Sequence, residues 1–399
     1  MTSIMAVNSR TVLMAHNRYR QPGGEDQVFA SESALLECKS HRVIRFEEDN
    51  ARIEKGSAAV TTLSAVWNSK SANALTRVIR RERPDVVHFH NTFPLISPAA
   101  YYAAQREGVP VIQTLHNFRL LCPGATLFRD GAICQECIDQ RSFRPGMANK
   151  CYRGSRPATA AVATMLTVHR AARTWHRKVD LYIALNDFAR EKFIEGGLPA
   201  SRIVVKPNFV SPDPGVGTGT GSYALFVGRL SPEKGIAVLA EAWKDLRHIP
   251  LLVAGDGPLA GTQWPSGVTW IGRQPHDKIL ELMREARILI FPSEWYEGAP
   301  MTLIEAFACG LPVIASNLGS MAEMVSHERI GLLFNAGDAA NLARNVRWAF
   351  GNHIALDAMR RAARQEYEVK YSAERNYEML TASYETAIAN FRRERRAAS

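Results

Sequence analysis

The stretch FPSEWYEGAPMTLIEAFACGLPVIAS, residues 291–316, decides the fold. An apolar run ending at Phe291 leads into a loop, Pro300 suits the first turn of a helix, and Gly310 and Pro312 end that helix before another apolar run. The pattern predicts strand, loop, helix and strand, in that order. Strand ends that face a helix N-terminus are the usual anion sites of parallel α/β sheets, so a phosphorylated ligand is expected at this loop.

The rest of the chain alternates short apolar runs with longer amphipathic segments. Apolar runs without strict polar alternation are typical of parallel strands that helices cover on both faces. The sequence therefore predicts an α/β protein, with strands at residues 11–16, 42–46, 86–90, 110–115, 181–185, 224–229, 251–254, 268–271, 288–291, 312–315 and 331–334.

A stretch of small residues, SPDPGVGTGTGS at 211–222, separates these strands into two groups. Glycine, proline, serine and threonine in such density do not form a core face, so this stretch is the predicted linker. A chain of 399 residues is long enough for two domains. The predicted division is an N-terminal domain over 1–210, the linker, and a C-terminal domain over 223–399 that ends in a helix and a basic tail.

Composition places the chain among soluble globular proteins, because 46% of its residues are hydrophobic and 22% are charged. The formal net charge of +10 favours a polyanionic partner, such as nucleic acid, anionic lipid or a phosphorylated substrate. No segment approaches the roughly 20 apolar residues that span a bilayer, and the N-terminus lacks a signal-peptide pattern. The expected location is the cytoplasm, with peripheral binding to the inner face of the cytoplasmic membrane as an option.

Two pairs of side chains in the second half suit a sugar nucleotide. Glu305, inside the predicted helix, can accept both hydroxyls of a ribose, and Glu297, in the loop, can reach a sugar beyond the diphosphate. Arg229 at a strand end and Lys234 at the next helix start bring a planar fork and a point charge to one anion. Each pair alone is also compatible with solvated surface charges, but two pairs in one predicted domain favour a ligand site.

These motifs resemble the retaining nucleotide-sugar glycosyltransferases of glycosyltransferase family 4, over nearly the whole chain. The resemblance implies the GT-B fold, in which two Rossmann-like doubly wound domains face a central cleft and the C-terminal helix packs back toward the N-terminal domain. The family's E-x7-E signature corresponds to Glu297 and Glu305, and its phosphate-binding G-R-x4-K-G motif corresponds to Gly228, Arg229, Lys234 and Gly235.

The resemblance also implies roles for these residues. Arg229 and Lys234 would neutralise the donor diphosphate, and Glu305 would bind the ribose. The transferred sugar would be bound by Glu297, as a catalytic residue, and by the backbone of Gly298, Ala299, Pro300 and Met301. Many family members carry E-G-F-G where this chain has E-G-A-P at 297–300, a difference that would alter the donor-sugar pocket.

In the first half, the resemblance places Gly23 and Gly24 at the donor diphosphate and His116 at the transferred sugar, as a catalytic residue. Glycine lets backbone N–H groups approach a phosphate closely. His88 and His90 are weaker candidates for contact with the acceptor. A plain glycine turn and hydrogen-bonded core histidines are the alternative interpretations.

No D-x-D triplet occurs in the sequence, so the usual aspartates for Mg²⁺ or Mn²⁺ on a nucleotide diphosphate are missing. The charge of the leaving group is then expected to be met by Arg229, Lys234 and a helix N-terminus, with no cofactor required for the chemistry. The family implies retention of anomeric configuration by front-face attack, and no residue stands out as an enzymic nucleophile.

Four cysteines lie close together in the sequence: Cys122, Cys134, Cys137 and Cys151, within an insert over 118–157. A C-x2-C pair with two flanking thiols has the ligand count of a structural Cys₄ zinc site. Four reduced thiols in a loop are the main alternative, and a disulfide is disfavoured in a reducing cytoplasm.

Residues 140–179 contain nine lysines or arginines and no aspartate or glutamate. An apolar stripe over 158–168 fits a basic amphipathic helix that lies on anionic lipid or faces a lipid diphosphate acceptor. The alternative is a helix with one buried face and a solvated basic face.

The sequence as a whole predicts transfer of a sugar from a nucleotide diphosphate to a saccharide or lipid-linked acceptor, in surface-polysaccharide or glycolipid assembly. Another GT-B enzyme, a sugar-nucleotide epimerase or a phosphorylase, is the nearest alternative. A nucleic-acid-binding protein is the alternative from another class, but no nucleic-acid-binding motif supports it and no such partner is expected.

Overall fold

The computed structural model describes residues 9–18, 23–50 and 64–398. The strands, numbered in chain order, are β1 (Thr11–Arg18), β2 (Arg42–Asp49), β3 (Val86–Asn91), β4 (Val111–Leu115), β5 (Phe128–Arg129), β6 (Ala132–Ile133), β7 (Leu181–Ala184), β8 (Ile203–Val205), β9 (Ala224–Val227), β10 (Leu251–Ala254), β11 (Val268–Gly272), β12 (Ile288–Phe291), β13 (Val313–Ser316) and β14 (Gly331–Phe334).

Helices cover both faces of the sheets. They are α1 (Gly24–Cys38), α2 (Ser69–Glu82), α3 (Ala99–Arg106), α4 (Glu136–Asp139), α5 (Arg144–Ala148), α6 (Arg156–Ala171), α7 (Thr174–Arg177), α8 (Asp187–Glu195), α9 (Ile236–Lys244), α10 (His276–Glu285), α11 (Met301–Ala308), α12 (Gly319–Met324), α13 (Ala339–Gly351), α14 (His353–Lys370) and α15 (Ala373–Ala398).

Two six-stranded parallel sheets organise the molecule. The first has the order β2-β1-β3-β4-β7-β8, and the second has the order β11-β10-β9-β12-β13-β14. In each sheet the chain winds outward on one side of the first strand and then returns to the other side. The resulting switch points lie between β1 and β3 and between β9 and β12, where open α/β sheets bind ligands outside the carboxyl ends of the strands.

Every predicted strand is present, within a few residues of its predicted bounds, and the α/β fold with two Rossmann-like domains is confirmed. Strand β8 and the β5–β6 hairpin were not predicted, because runs of two or three residues are too short to show a period. Asp130 and Gly131 form the turn of that hairpin with positive φ angles of 52° and 78°, as a tight hairpin turn requires.

The C-terminal helix packs against the first domain, as the resemblance implied. The hydroxyls of Tyr377 and Tyr384 on α15 form hydrogen bonds with His41 and His88, and the helix continues through the predicted basic tail to Ala398. Tyr384 is fully buried in a core cluster that contains residues of β1, β3, β4 and β7. The 26-residue helix α15 therefore completes the first domain's core.

The stretch predicted as a linker runs between β8 and β9 and lies against the second domain. The N–H groups of Gly217, Gly219 and Gly221 donate to the carbonyls of Cys309, Arg284 and Glu285. A Cβ on Gly217 would lie 2.0 Å from the carbonyl oxygen of Arg284, so glycine is needed for this close backbone approach. These glycines allow the stretch to pack against the ends of α10 and α11. The stretch was expected to form no packed face, so this part of the prediction differs from the structure.

Candidate active site

A cavity of about 600 Å³ lies between the carboxyl edges of the two sheets. Its first wall comes from the first domain and includes Gly24, Glu25, Gln27, His116, Asn117, Phe118 and Asn208. Its second wall comes from the second domain and includes Gly228, Lys234, Arg273, Gln274, His276, Trp295, residues 297–302 and Glu305. Both walls lie at or next to the switch points, so the fold brings them together.

Lys234 enters the cavity from the turn that follows β9. Gly235 takes a φ of +71°, and a Cβ there would lie 1.9 Å from the carbonyl oxygen of Pro292, so the turn requires glycine. The ammonium of Lys234 lies 5.6 Å from the ring centres of both Phe291 and Trp295. This aromatic support holds one positive charge at the carboxyl end of β12.

Glu297 lies in the loop between β12 and α11 and is 6% exposed. Its Oε1 atom accepts hydrogen bonds of 2.6 Å from the Nζ of Lys234 and from the hydroxyl of Ser293. The hydroxyl of Ser320 donates to its backbone carbonyl at 2.8 Å. The first glutamate of the E-x7-E signature is thus paired with the lysine of the G-R-x4-K-G motif.

Glu305 lies on α11, one turn beyond the helix start, and is 5% exposed. Burial raises the pKa of its carboxyl group, and the imidazole of His276, 3.8 Å away, lowers the pKa in part. Both side chains line the cavity. A buried carboxyl with so few partners can accept hydrogen bonds from ligand hydroxyls.

The loop before α11 is held by the first domain. A Cβ on Gly298 would lie 2.7 Å from the carbonyl oxygen of His116, so the two domains touch backbone to backbone here. The amides of Asn186 and Asn208 donate to the carbonyls of Gly298 and Ala299. Pro300 precedes the first helical residue, Met301, and both residues line the cavity.

Gly23 is the N-cap of α1, and Gly24 begins that helix at the edge of the cavity. The carboxylate of Asp26 accepts a hydrogen bond of 2.8 Å from the N–H of Gly23. The first turn of a 15-residue helix, with Gly24, Glu25 and Gln27 on the cavity wall, directs N–H groups toward the ligand space.

His116 follows β4 and faces the loop before α11 across the cleft. Burial, with the nearby charges of His16 and Lys206, lowers its pKa to about 3, so the imidazole is neutral at physiological pH. One ring nitrogen, Nε2, lies 3.0 Å from Nδ1 of His90. The sequence-predicted catalytic residues His116 and Glu297 therefore line one cavity.

His88 and His90, predicted as weaker acceptor contacts, are 0% and 2% exposed. Both nitrogens of His88 are used within the protein, by the hydroxyls of Tyr384 and Thr114. His90 lies against His116, with its Nδ1 3.0 Å from Nε2 of His116, and it is not among the described residues that line this cavity. The structure thus places these two histidines beneath the first wall of the cavity.

Arg229 is exposed, and it is absent from the described residues that line the cavity, although its neighbour Gly228 lines it. Sequence reasoning missed Arg273 and Trp295 on the wall and Asn186 and Asn208 beneath the loop. The position of Arg273 directly after β11 could have indicated that it lies on the cavity wall. Nothing in the sequence indicates the roles of Asn186 and Asn208, because their hydrogen-bond partners are more than 90 residues away.

Glu32, His88 and His90 are the one group of three candidate metal-ligating side chains, among the described residues, whose ligand atoms all lie within 4.8 Å of one another. The ammonium of Lys206 pairs with Glu32, and His88 has no free nitrogen, so this group does not suit a cation.

The four cysteines of the insert are all reduced and near one another, and the pKa values of Cys137 and Cys151 are raised mainly by burial, with a contribution from the other thiols. The N–H of Gly146 forms a hydrogen bond to Cys137 that opposes this increase. Their sulfur atoms do not form the compact ligand group seen at Glu32. Zinc binding by Cys122, Cys134, Cys137 and Cys151 stays a prediction.

The apolar stripe of the basic run is buried in the protein. On α6 the buried residues include Val162, Ala163, Met165 and Leu166, which belong to the first domain's core. The alternative interpretation, a helix with one buried face, is therefore correct for this stripe. In the part of the chain that the structure describes, no helix combines the length and the apolarity needed to cross a membrane.

Two doubly wound domains with parallel sheets and a charged cleft between their carboxyl edges have the architecture of the GT-B fold. The family model "Glycosyltransferase Family 4" matches residues 10–214, and the model "Glycosyl transferases group 1" matches residues 217–366. The chain belongs to glycosyltransferase family 4, and it transfers a sugar from a nucleotide sugar.

Similar proteins agree with this assignment over most of their length. The 2-deoxystreptamine glucosyltransferase of Streptomyces kanamyceticus is 26% identical over 86% of this chain and 87% of its own. The D-inositol 3-phosphate glycosyltransferase 1 of Catenulispora acidiphila is 26% identical over 76% and 72%. Anabaena Alr3699/HepE, solved in complex with UDP, has the same fold, with a TM-score of 0.66 at 16% identity over 94% of this chain and 99% of its own.

Proposed function

We propose that the cavity binds a nucleoside diphosphate sugar with the diphosphate at Lys234, the ribose at Glu305 and the transferred sugar between Glu297 and His116. The observation that carries the proposal is the pair of Lys234 and Glu297 at the β9–β12 switch point, facing His116 in one cavity. A diphosphate would compete with Glu297 for the ammonium and release the carboxylate toward the sugar.

Helix N-termini supply the remaining positive potential. The first turns of α1 and α11 both reach the cavity, from opposite walls. Their N–H groups favour an anion there, and together with Lys234 they can stabilise a departing diphosphate. This arrangement meets the charge of the diphosphate without a divalent cation, and Arg229, exposed beside Gly228 of the cavity wall, is proposed to add its positive charge.

The proposed reaction retains the anomeric configuration. The oxygen of the acceptor hydroxyl attacks C1 of the sugar on the face from which the diphosphate leaves. The C1–O bond to the diphosphate breaks, and the acceptor proton passes to the leaving phosphate oxygen. Lys234 offsets the charge that develops on that oxygen, while His116 and Glu297 hold the sugar in place.

The acceptor is proposed to be a saccharide or lipid-linked hydroxyl of surface-polysaccharide or glycolipid assembly. An exposed basic surface on the first domain supports contact with an anionic membrane. Trp67 and Val168 are 46% and 45% exposed, Trp67 stacks on His169 of α6, and Arg173 and Arg177 follow in the chain with exposed side chains. Such a mixture of tryptophan and arginine suits a lipid headgroup layer.

Vesicle binding tests the membrane part. The Arg173→Glu/Arg177→Glu variant is expected to lose binding to phosphatidylserine vesicles, and wild-type binding is expected to fall as salt rises. Arg170 is left unchanged because it packs over the ring of Phe143. The matched control Arg344→Glu/Arg361→Glu changes exposed charges of the second domain. Equal binding by all three proteins would refute the membrane contact.

Ligand-induced stabilisation tests the donor part. UDP is the first probe, because Anabaena Alr3699/HepE was solved with UDP, and the other nucleoside diphosphates and their hexose conjugates follow. A ligand at 100 times its Kd adds about 2.7 kcal/mol to stability, which is readily seen as a rise in Tm. Acceptor-dependent release of the nucleoside diphosphate separates a transferase from an epimerase. Absence of stabilisation by every nucleoside diphosphate would refute the proposed donor site.

A further inference from the structure

A buried ion pair lies beneath the first wall of the cavity. Glu32 on α1 and Lys206, directly after β8, are 0% and 1% exposed, and the Nζ of Lys206 bonds to Oε1 of Glu32. The two residues are 174 positions apart in the chain. A buried ion pair of this kind is costly unless its remaining polar atoms find partners.

The second oxygen of Glu32 points to a histidine. Oε2 of Glu32 lies 3.5 Å from Nε2 of His90, at ion-pair distance, and both atoms are buried without a hydrogen-bond partner. The other nitrogen of His90, Nδ1, lies 3.0 Å from Nε2 of His116. The four side chains therefore form one line from Lys206 to the cavity wall.

The charges of Lys206 and Glu32 determine which ring nitrogens of His90 and His116 carry a proton. With Lys206 beside it, Glu32 is an anion that can only accept, so Nε2 of His90 carries a proton. Nδ1 of a neutral His90 is then an acceptor, and Nε2 of His116 must be the donor. Both imidazoles are neutral, since burial lowers the pKa of each.

We propose that Glu32, held by Lys206, acts through His90 as a positioning residue that fixes His116 in the tautomer with its proton on Nε2. Nδ1 of His116 is thereby left as a hydrogen-bond acceptor. The consequence rests on the proposed function: a hydroxyl of the donor sugar donates to His116 rather than accepting from it. A second layer of hydrogen bonds commonly sets a functional imidazole in this way.

In the Glu32→Gln variant, the direction of the hydrogen bonds from residue 32 through His90 to His116 is expected to reverse. Lys206 would keep the amide oxygen at the position of Oε1, so the NH₂ group would face His90 and donate to its Nε2. His90 would then carry its proton on Nδ1 and donate to His116, whose proton would move from Nε2 to Nδ1. A change two side chains away would thus exchange the tautomer of His116.

Nitrogen NMR of the full-length protein with ¹⁵N-labelled histidine tests this without any ligand, so the result does not depend on whether a donor binds. His116→Gln assigns the resonances. In the wild type, Nε2 of His116 is expected to be protonated and Nδ1 bare, and Glu32→Gln is expected to exchange the two. Tyr384→Phe is the matched control, since it removes an equally buried hydrogen bond to His88, outside the line.

Two results would overturn the proposal. The first is the observation, in the wild-type protein, that the proton of His116 is on Nδ1. This observation needs no variant other than the one that assigns the resonances. The other is a folded Glu32→Gln protein in which the tautomer of His116 is unchanged. Loss of UDP binding with the expected tautomers would count against the proposed donor site alone.

Discussion

The two walls of the cavity differ in charge. The second domain contributes a lysine and two buried carboxyl groups, Lys234, Glu297 and Glu305, to its wall. The first domain contributes the start of α1, with Glu25, and the neutral imidazole of His116, but no lysine or arginine among its described lining residues. The difference supports the proposed division, in which the second wall, with its lysine, binds the nucleotide and the first wall contacts the uncharged sugar and its acceptor.

Removal of the positive charge should have the largest effect. Lys234→Ala is expected to lower kcat/KM by roughly 10² to 10³, because the charge on the leaving diphosphate loses its main partner. Steady-state kinetics with the donor measures this. Lys244→Ala, an exposed lysine paired with Glu241 in the same domain, is the control and should stay within twofold of wild type. A Lys234→Ala enzyme of normal rate would contradict a charged wall.

Removal of the neutral imidazole should act on turnover. His116→Ala is expected to reduce kcat by roughly tenfold to a hundredfold, since the sugar loses its contact on the first wall, while affinity for UDP changes little. Kinetics and calorimetry on one preparation give both values. If affinity fell as much as turnover, His116 would belong to the nucleotide side and the two walls would not divide the work.

Glu305→Gln should affect binding on the charged wall. Affinity for UDP is expected to fall roughly tenfold, because a carboxylate that accepts from two ribose hydroxyls is replaced by a neutral amide. Glu294→Gln is the matched control, because Glu294 is a partly buried glutamate of the loop before α11 and burial also raises the pKa of its carboxyl group. Unchanged calorimetric affinity in Glu305→Gln would sink the ribose assignment.

The effect of burial on a carboxyl group of the first domain can be tested at Asp180. Burial raises its pKa from 3.8 to about 7, and its Oδ2 accepts from the N–H of Val111 and the amide of Gln105. The contribution of this carboxyl group to stability is therefore greatest below pH 3.8, where it is protonated in both the folded and the unfolded state, and is lost as pH rises toward 7. That loss is at most about 4 kcal/mol.

Asp180→Asn keeps an oxygen for both donors and does not ionise. Its stability relative to the wild type should rise between pH 4 and 7 and then remain constant. Urea unfolding at several pH values measures the difference. A constant difference across this range would show that Asp180 is already ionised in the folded state at low pH.

The cysteine insert should matter least to the chemistry. If Cys122, Cys134, Cys137 and Cys151 bind zinc, the purified protein should contain about one zinc per chain, and Cys134→Ser/Cys137→Ser should contain none. A brief exposure to EDTA should leave the transfer rate nearly unchanged. Metal analysis that finds no zinc, with four thiols freely alkylated in the native protein, would leave the insert as a loop with reduced cysteines.

Local patterns were sufficient for much of the fold and for the charged wall. Strands of four or more residues carry their own apolar period, and the loop before α11 is defined by Pro300 and Gly310 within one short stretch. Lys234 and Glu297 could be found because each follows a predicted strand. Arg229, in the same motif, could not be placed, since the direction of a side chain at a strand end depends on the turn that follows.

The sequence by itself determined two sets of parallel strands, the turn glycine at Gly235 and the acidic pair Glu297 and Glu305, because each depends on residues close together in the chain. Only the tertiary structure decided that the apolar face of α6 packs into the core of the first domain. It alone also decided that Glu32 meets Lys206 beneath His90, from 174 residues away. Such contacts arise from the packing of whole elements against each other, and no local period or spacing records which distant side chains that packing will bring together.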